Sequence, residues 1–337
     1  MSTQGRGDFS EIPILDVSPL FSGDAAAAAT VAETLRGYLE QIGFLYVAGH
    51  NVPEESVQGV RAAARRFFAL PEEDKLALKI DRNFRGFLPM ASSTIVTSSV
   101  AKVSKPNQSE SMMLMHEVAA DDPDALAGKP LQGPNQWPRE DLVPGFRTAA
   151  EAYVEQMTTL ARRMVAAIAT SLGMEADALD PYFEKPTTFL RLLHYPTQPE
   201  EDGLFGSAPH TDYGFITLLA QDDVGGLEVK NKAGEWVAAP PIPGTFVMNV
   251  GDILARWSND RFVSTPHRVI NRSGKERYSQ PFFFDPSMDH TIAVLPSCVP
   301  AGGEAKHEPI VYRDYLMERI DKNYHYRKGL AAPPAGA

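Results

Sequence analysis

The sequence predicts an α+β fold, with helices concentrated in the first half and an antiparallel sandwich or barrel in the second. Three observations carry this. Segments before Gly173 repeat their apolar residues every three or four positions, the period of an amphipathic helix. From Thr187 onward, short runs such as "TTFLRLLHY", "TFVMNV" and "RYSQPFFF" are separated by Gly, Pro, Asn and Asp, the texture of antiparallel β structure. No stretch repeats at a fixed period, which sets solenoids and propellers aside.

Taken in order, "EIPILDVSPLF" reads as a short strand and a turn. Asp24 then heads a helix whose stripe is Val31, Leu35, Tyr38, Leu39 and Ile42, ended by Gly43. "FLYVAGH" is a strand. Pro53-Glu54-Glu55 has the proline and acidic residues of a first helical turn, opening a helix that runs to Leu70, with a shorter one after Pro71. Ser92 to Ser111 is polar and without a helical stripe; it is expected to be a long loop, of the kind that serves as a lid or a binding loop or is disordered. Phe146 to Leu172 is a long helix with Tyr153, Met157, Leu160, Met164, Ile168 and Leu172 as its buried stripe. In the β-rich half, "NKAG" at Asn231–Gly234 is a hairpin turn, Asp222-Asp223 a solvated turn, and Asp252 a structural residue. The tail "GLAAPPAGA" is expected to fray.

With 337 residues, 43% of them hydrophobic, the chain can bury a large core. A formal net charge of -11 argues against nucleic acid and anionic membrane as partners, since phosphate binding needs clustered Lys and Arg. No run approaches the ~18 apolar residues of a membrane span, and the N-terminus lacks a basic-then-apolar signal. Together with a single cysteine, Cys298, read as a half-buried filler, this gives a cytoplasmic expectation.

The chemistry lies in two pairs. His210 and Asp212 stand two apart in "APHTDYGFITLLA", and on a strand such residues project from one face. His267 in "STPHRVIN" is the best third partner. Two imidazoles and a carboxylate leave open metal positions, the arrangement of O2-activating non-haem Fe(II); zinc hydrolases can use the same donors. Arg277 and Ser279 in "ERYSQPFFF" repeat the spacing. A guanidinium fork and a hydroxyl on one buried face suit a carboxylate ligand. A buried Arg with no acid on its own strand face calls for an anion. Phe283, two positions past Pro281 on that face, and Phe215 are expected to line a substrate pocket.

With these residues the chain resembles the isopenicillin N synthase-like family of Fe(II)/2-oxoglutarate-dependent oxygenases, whose motif is HxD, a distant His, then RxS; here 277 − 267 = 10. "IPILDVSPL", "GFLYVAGHNVP", "FFALPEEDKLAL" and "NVGDILARWSNDRFVSTPHRV" extend the resemblance over nearly the whole chain. It implies a double-stranded β-helix (jelly roll) core flanked by helices. An N-terminal region, residues 1–125, would pack on a helix-plus-jelly-roll core, residues 126–337, as one compact unit. It implies Fe(II) on His210, Asp212 and His267, and the distal carboxylate of 2-oxoglutarate on Arg277, Ser279 and the Tyr195 hydroxyl. Alternation puts Arg191 and Leu193 on the Tyr195 face, so Arg191 contacts cosubstrate or substrate, or forms an outward salt bridge. The plant form of this strand has Asn at the Leu193 position and Tyr at the His194 position, so plant substrates are not carried over.

The implied activity is O2-dependent oxidation, by default hydroxylation, of a small molecule by a monomer, releasing succinate and CO2. A 2-oxoglutarate-independent iron oxidase and a non-catalytic binding or sensor module remain as alternatives.

Overall fold

The computed structural model describes residues 8–329 except 99, 198–200 and 202. The expected frayed tail therefore lies almost wholly outside the described residues. Among the described residues, fourteen strands and seven α-helices follow one another. The N-terminal part holds β1 (Ile14–Asp16), α1 (Ala25–Gln41), β2 (Phe44–Ala48), α2 (Glu54–Phe68), α3 (Glu72–Leu76), β3 (Gly86–Leu88), β4 (Glu110–Met115) and α4 (Pro123–Leu126). After α5 (Phe146–Ser171) come β5 (Thr187–Tyr195), β6 (Ser207–His210), β7 (Ile216–Gln221), β8 (Leu227–Lys230), β9 (Trp236–Ala238) and β10 (Phe246–Val250). The chain then runs through α6 (Asp252–Trp257), β11 (His267–Val269), β12 (Arg277–Asp285), β13 (Thr291–Ile292), β14 (Ile310–Val311) and α7 (Tyr312–Asn323).

Two sheets make the jelly roll. The larger has the order β1-β2-β10-β7-β12-β5-β4-β3, and the smaller β6-β11-β8-β9. All pairs are antiparallel except β1 with β2. The strands before residue 116 thus extend both edges of the large sheet. Helix α5 packs its stripe, Tyr153, Met157, Leu160, Met164 and Ile168, all buried, against α1 and α2. Asp24 starts α1 as a cap, accepting from the Ala26 and Ala27 amides at 2.9 and 3.1 Å.

Three expectations need correction. The polar loop stops at Ser109, because Glu110 and Ser111 open strand β4, where Glu110 is buried and accepts from Lys75 at 2.8 Å and pairs with His194 at 2.7 Å. Its polar residues disguise a strand whose charges are satisfied internally. Asp222 is not solvated: it is buried and accepts the amides of Tyr278 and Val224, fixing the start of β12. Strand β6 ends at His210, so Asp212 follows the strand instead of sharing it.

The turn carrying Asp212 is held by close backbone contact. The amides of Gly251, Asp252 and Ile253 donate to the carbonyls of Phe215, Asp212 and Gly214 at 2.9, 2.8 and 3.0 Å. That approach requires glycine on both sides. A Cβ at Gly214 would lie 1.8 Å from Asp285 Oδ1, and one at Gly251 would lie 2.1 Å from the Gly214 carbonyl oxygen. Gly214→Ala is therefore expected to lose about 1–3 kcal/mol or more of stability in urea melts. The control, Gly59→Ala in α2, meets nothing within 4 Å and is expected to gain up to ~1 kcal/mol. Equal melts for the two variants would contradict the packing described.

Candidate active site

The small sheet presents His210 and His267 as direct partners across β6 and β11, with ring centroids 4.3 Å apart. Each ring is oriented by its own chain. His210 Nδ1 lies 2.7 Å from the Ala208 carbonyl oxygen and His267 Nδ1 3.3 Å from that of Thr265. A carbonyl only accepts, so both Nδ1 atoms carry hydrogen and both Nε2 lone pairs face inward. Each Nε2 is 3.6 Å from Asp212 Oδ1, and the three candidate donor atoms lie within 4.8 Å of one another. Burial, with His210 alongside, lowers the His267 pKa to about 4, leaving a neutral ring at pH 7. Burial pushes the Asp212 carboxyl up, but His267, His210 and the Thr217 hydroxyl outweigh it and hold the group below the usual carboxylate range. Two imidazoles and one carboxylate, preorganised with Asp212 and His267 buried and His210 half-buried, fit a divalent transition metal.

Arg277 heads β12 opposite Tyr195, and Ser279 opposite Leu193. The Arg277 guanidinium is fully buried over the Tyr195 ring, 4.8 Å from its centroid. Its Nη2 donates to Gln221 Oε1 at 3.3 Å, whereas Nε and Nη1 have no partner among the described residues. An unpaired buried cation is costly, so these two donors fit a carboxylate in the cavity beside them. That cavity is lined by Tyr195, Leu193, Arg277 and Ser279 at one end and by His210, Asp212 and His267 at the other.

A second cavity opens on the far side of the His/Asp cluster, walled by Phe84, Ile95, Met113, Phe189 and Leu316. His210, Asp212, Arg191 and Phe283 line both cavities. The cluster thus stands at a junction between a pocket for a dicarboxylate and a more apolar one.

Two family models match: the 2OG-Fe(II) oxygenase superfamily over residues 186–286, and the non-haem dioxygenase in morphine synthesis N-terminal region over residues 12–140. The 2-oxoglutarate-Fe(II) type oxidoreductase hxnY of Emericella nidulans is 40% identical, over 95% of this chain and 93% of its own. The chain belongs to the 2-oxoglutarate–Fe(II) oxygenase superfamily. Homoarginine-6-hydroxylase 2-ODD-C23 of Glycine max is 35% identical over 94% of this oxygenase and 98% of its own length. A full-length Neurospora crassa protein, solved in complex with alpha-KG and thymine, superposes with a TM-score of 0.81 at 31% identity, over 92% of this chain and 96% of that one. The protein is an Fe(II)- and 2-oxoglutarate-dependent dioxygenase, and the two alternative classes fall away.

Several residues of the oxygenase site escape a reading from motifs. Asp212 Oδ2 accepts from Thr217 Oγ1 at 2.5 Å and from Asn249 Nδ2 at 2.7 Å. Thr217 and Asn249 face each other across β7 and β10. Together they occupy Oδ2 and leave Oδ1 toward the histidines. The signal was present in "TFVMNV": an Asn inside an apolar strand must hydrogen-bond to something. Asn249→Ala is expected to weaken Fe(II) binding by about 10–100-fold, read as the Fe(II) concentration giving half-maximal turnover. An unchanged concentration would remove the orienting role.

Other expected contacts sort by position. Leu193 and Phe283 line the cavity beside Arg277. Phe215 does not line either cavity; it is fully buried between Phe183 and Trp257, because the Gly214 turn and the Asp285 bond to its amide rotate it into the core. Asp285 lines the apolar cavity with both oxygens engaged, by the Phe215 amide at 2.6 Å and the Tyr312 hydroxyl at 2.7 Å, and burial pushes its pKa up to about 7. Asp252 is structural: it accepts from Ser264 and Tyr315 at the start of α6. The loop before β4 reaches the apolar cavity through Ser93 and Ile95 and is tied to α7, with the Thr94 amide 3.0 Å from the Asn323 carbonyl oxygen.

Proposed function

We propose that His210, Asp212 and His267 hold the Fe(II), that Arg277, Ser279 and Tyr195 receive the distal carboxylate of 2-oxoglutarate, and that the enzyme hydroxylates a small molecule bound in the apolar cavity. The observation that carries the reading is the buried Arg277 guanidinium, with two donors unpaired among the described residues, on a side chain that lines the same cavity as His210, Asp212 and His267. Fe(II) with 2-oxoglutarate and O2 supplies the oxidising equivalents for a C–H bond. The protein's share is orientation and exclusion. Arg277 fixes the dicarboxylate at its far end by charge-assisted hydrogen bonds, the Tyr195 ring backs the guanidinium, and Phe283 closes the wall between the two cavities. Ile95, Leu316 and Phe84 keep water from the reacting carbon.

The same reading has residues 1–125 and 126–337 acting as one unit, since strands from both share the large sheet. No described helix is long and apolar enough to cross a membrane. The net charge of -11 supports action on a small molecule and not on nucleic acid, and the reading takes the enzyme as a cytoplasmic monomer. The test is stoichiometric. Addition of a substrate is expected to raise O2 consumption and succinate formation together, and the product is expected to retain one oxygen atom from 18O2. Product formed without 2-oxoglutarate would overturn the proposal.

A further inference from the structure

Arg191 is the one Lys or Arg lining the apolar cavity among the described residues, and although Asp212 and Asp285 also line it, neither forms an ion pair with Arg191. Its Nε donates to Ser111 Oγ at 3.1 Å and its Nη1 to the Tyr324 hydroxyl at 3.5 Å, while no carboxylate of the described residues lies within 4.0 Å. Neutral partners orient the guanidinium without neutralising it. The outward salt bridge considered for it from the sequence is absent among the described residues. The two cavities meet at Arg191, but the cosubstrate end already has its own unpaired guanidinium on Arg277. A second cation on that dicarboxylate is not needed to balance it, since the other carboxylate belongs at the His/Asp cluster.

The remaining walls define the body of the ligand. Phe84, Phe189, Phe283 and Tyr324 meet edge to face, with centroids 6.0 Å apart for Phe84–Phe189, 6.2 Å for Phe189–Phe283 and 4.8 Å for Phe84–Tyr324. Such walls favour a flat apolar ring. Several of the other polar groups are engaged: Asn323 Nδ2 donates to Thr97 and Tyr213, Asn107 Nδ2 to Ser93, and each Asp285 oxygen accepts a hydrogen bond.

We propose that Arg191 anchors the carboxylate of a small aromatic acid as primary substrate, a specificity assignment that rests on the oxygenase reading of the neighbouring cluster. The guanidinium holds the acid end, and the ring or its side chain is left facing His210 and Asp212.

The test uses full-length enzyme with Fe(II) and 2-oxoglutarate under anaerobic conditions, titrated calorimetrically with phenylacetate, phenylacetamide and benzylamine. Phenylacetate is expected to bind at least about 10-fold more tightly than the amide, with the amine weakest. Arg191→Gln is expected to erase that preference while leaving 2-oxoglutarate affinity within about 3-fold, and Arg191→Lys to retain part of it. Retention by Arg191→Lys separates a charge effect from a folding defect. Equal binding of acid and amide by the wild type, or binding of none of the three probes, would overturn the assignment. So would a loss of 2-oxoglutarate affinity in Arg191→Gln comparable to that in Arg277→Gln, which would place Arg191 in the cosubstrate site. Failure of the wild type to bind 2-oxoglutarate at all would instead remove the underlying oxygenase reading.

Discussion

Asp212→Ala is expected to leave the protein folded but unable to retain Fe(II) after desalting, with succinate formation below about 1% of wild type. Losing a residue that only orients a ligand typically costs 10–100-fold in metal affinity; losing the ligand itself is expected to exceed that range. Asp212 is also the only anion in the cluster, with Oδ1 3.6 Å from each histidine Nε2. Folding survives because the turn is held by backbone bonds from Gly251, Asp252 and Ile253 and not by the carboxylate. Metal analysis of the desalted protein and a thermal melt check both halves of the expectation. Stoichiometric iron in the variant would move the metal elsewhere.

Arg277→Gln carries the second large effect. Two charge-assisted hydrogen bonds to a buried carboxylate contribute about 1.5–3 kcal/mol each, so 2-oxoglutarate affinity is expected to fall by about 100-fold or more. The ligand-free protein should respond in the opposite sense. Arg277 Nε and Nη1 are buried without partners, and replacing an unpaired cation by a neutral side chain relieves a desolvation penalty. The melting temperature of ligand-free Arg277→Gln is therefore expected to equal or exceed that of wild type. A structural arginine would show the reverse, a lower melt with little change in 2-oxoglutarate binding.

Arg85 shows why such a contrast is needed. It too is fully buried without an ion pair among the described residues. Three carbonyls, those of Asn83, Leu131 and His116, accept from its two terminal nitrogens at 2.9 Å each. In the sequence, Arg85 and Arg277 are alike as arginines beside apolar runs. Only tertiary structure distinguishes the one whose terminal nitrogens are satisfied by loop carbonyls, with Nε alone unpaired among the described residues, from the one with two unpaired donors beside a cavity.

The long periodic elements were legible because burial imposes period: the α5 stripe and the strands β5 and β12 fall where the residue pattern puts them. Strand β4 was not legible, since Glu110 and Ser111 are polar and are satisfied by Lys75, His194 and Arg191 from distant segments. In the candidate site, the two-residue spacings have partly different structural origins. Arg277 and Ser279 do alternate along one strand, whereas Asp212 reaches the histidines from a turn tied to the start of α6. Phe215 misled because period two does not continue through the Gly214 turn. Helix α7 contributes Leu316 and Ile320 to the apolar cavity, a contact set by chain topology that local pattern does not encode.

One cavity is lined both by the His/Asp cluster and by Arg277, whose Nε and Nη1 are unpaired among the described residues. Anaerobic titration of the Fe(II)-loaded protein with 2-oxoglutarate tests the proposed use of this arrangement most directly, followed by the visible metal-to-ligand charge-transfer absorption. The expected result is a saturable band in wild type that is lost in Asp212→Ala and shifted to much higher 2-oxoglutarate concentration in Arg277→Gln. Iron bound in wild type with no band, or a band whose concentration dependence is the same in Arg277→Gln, would contradict it.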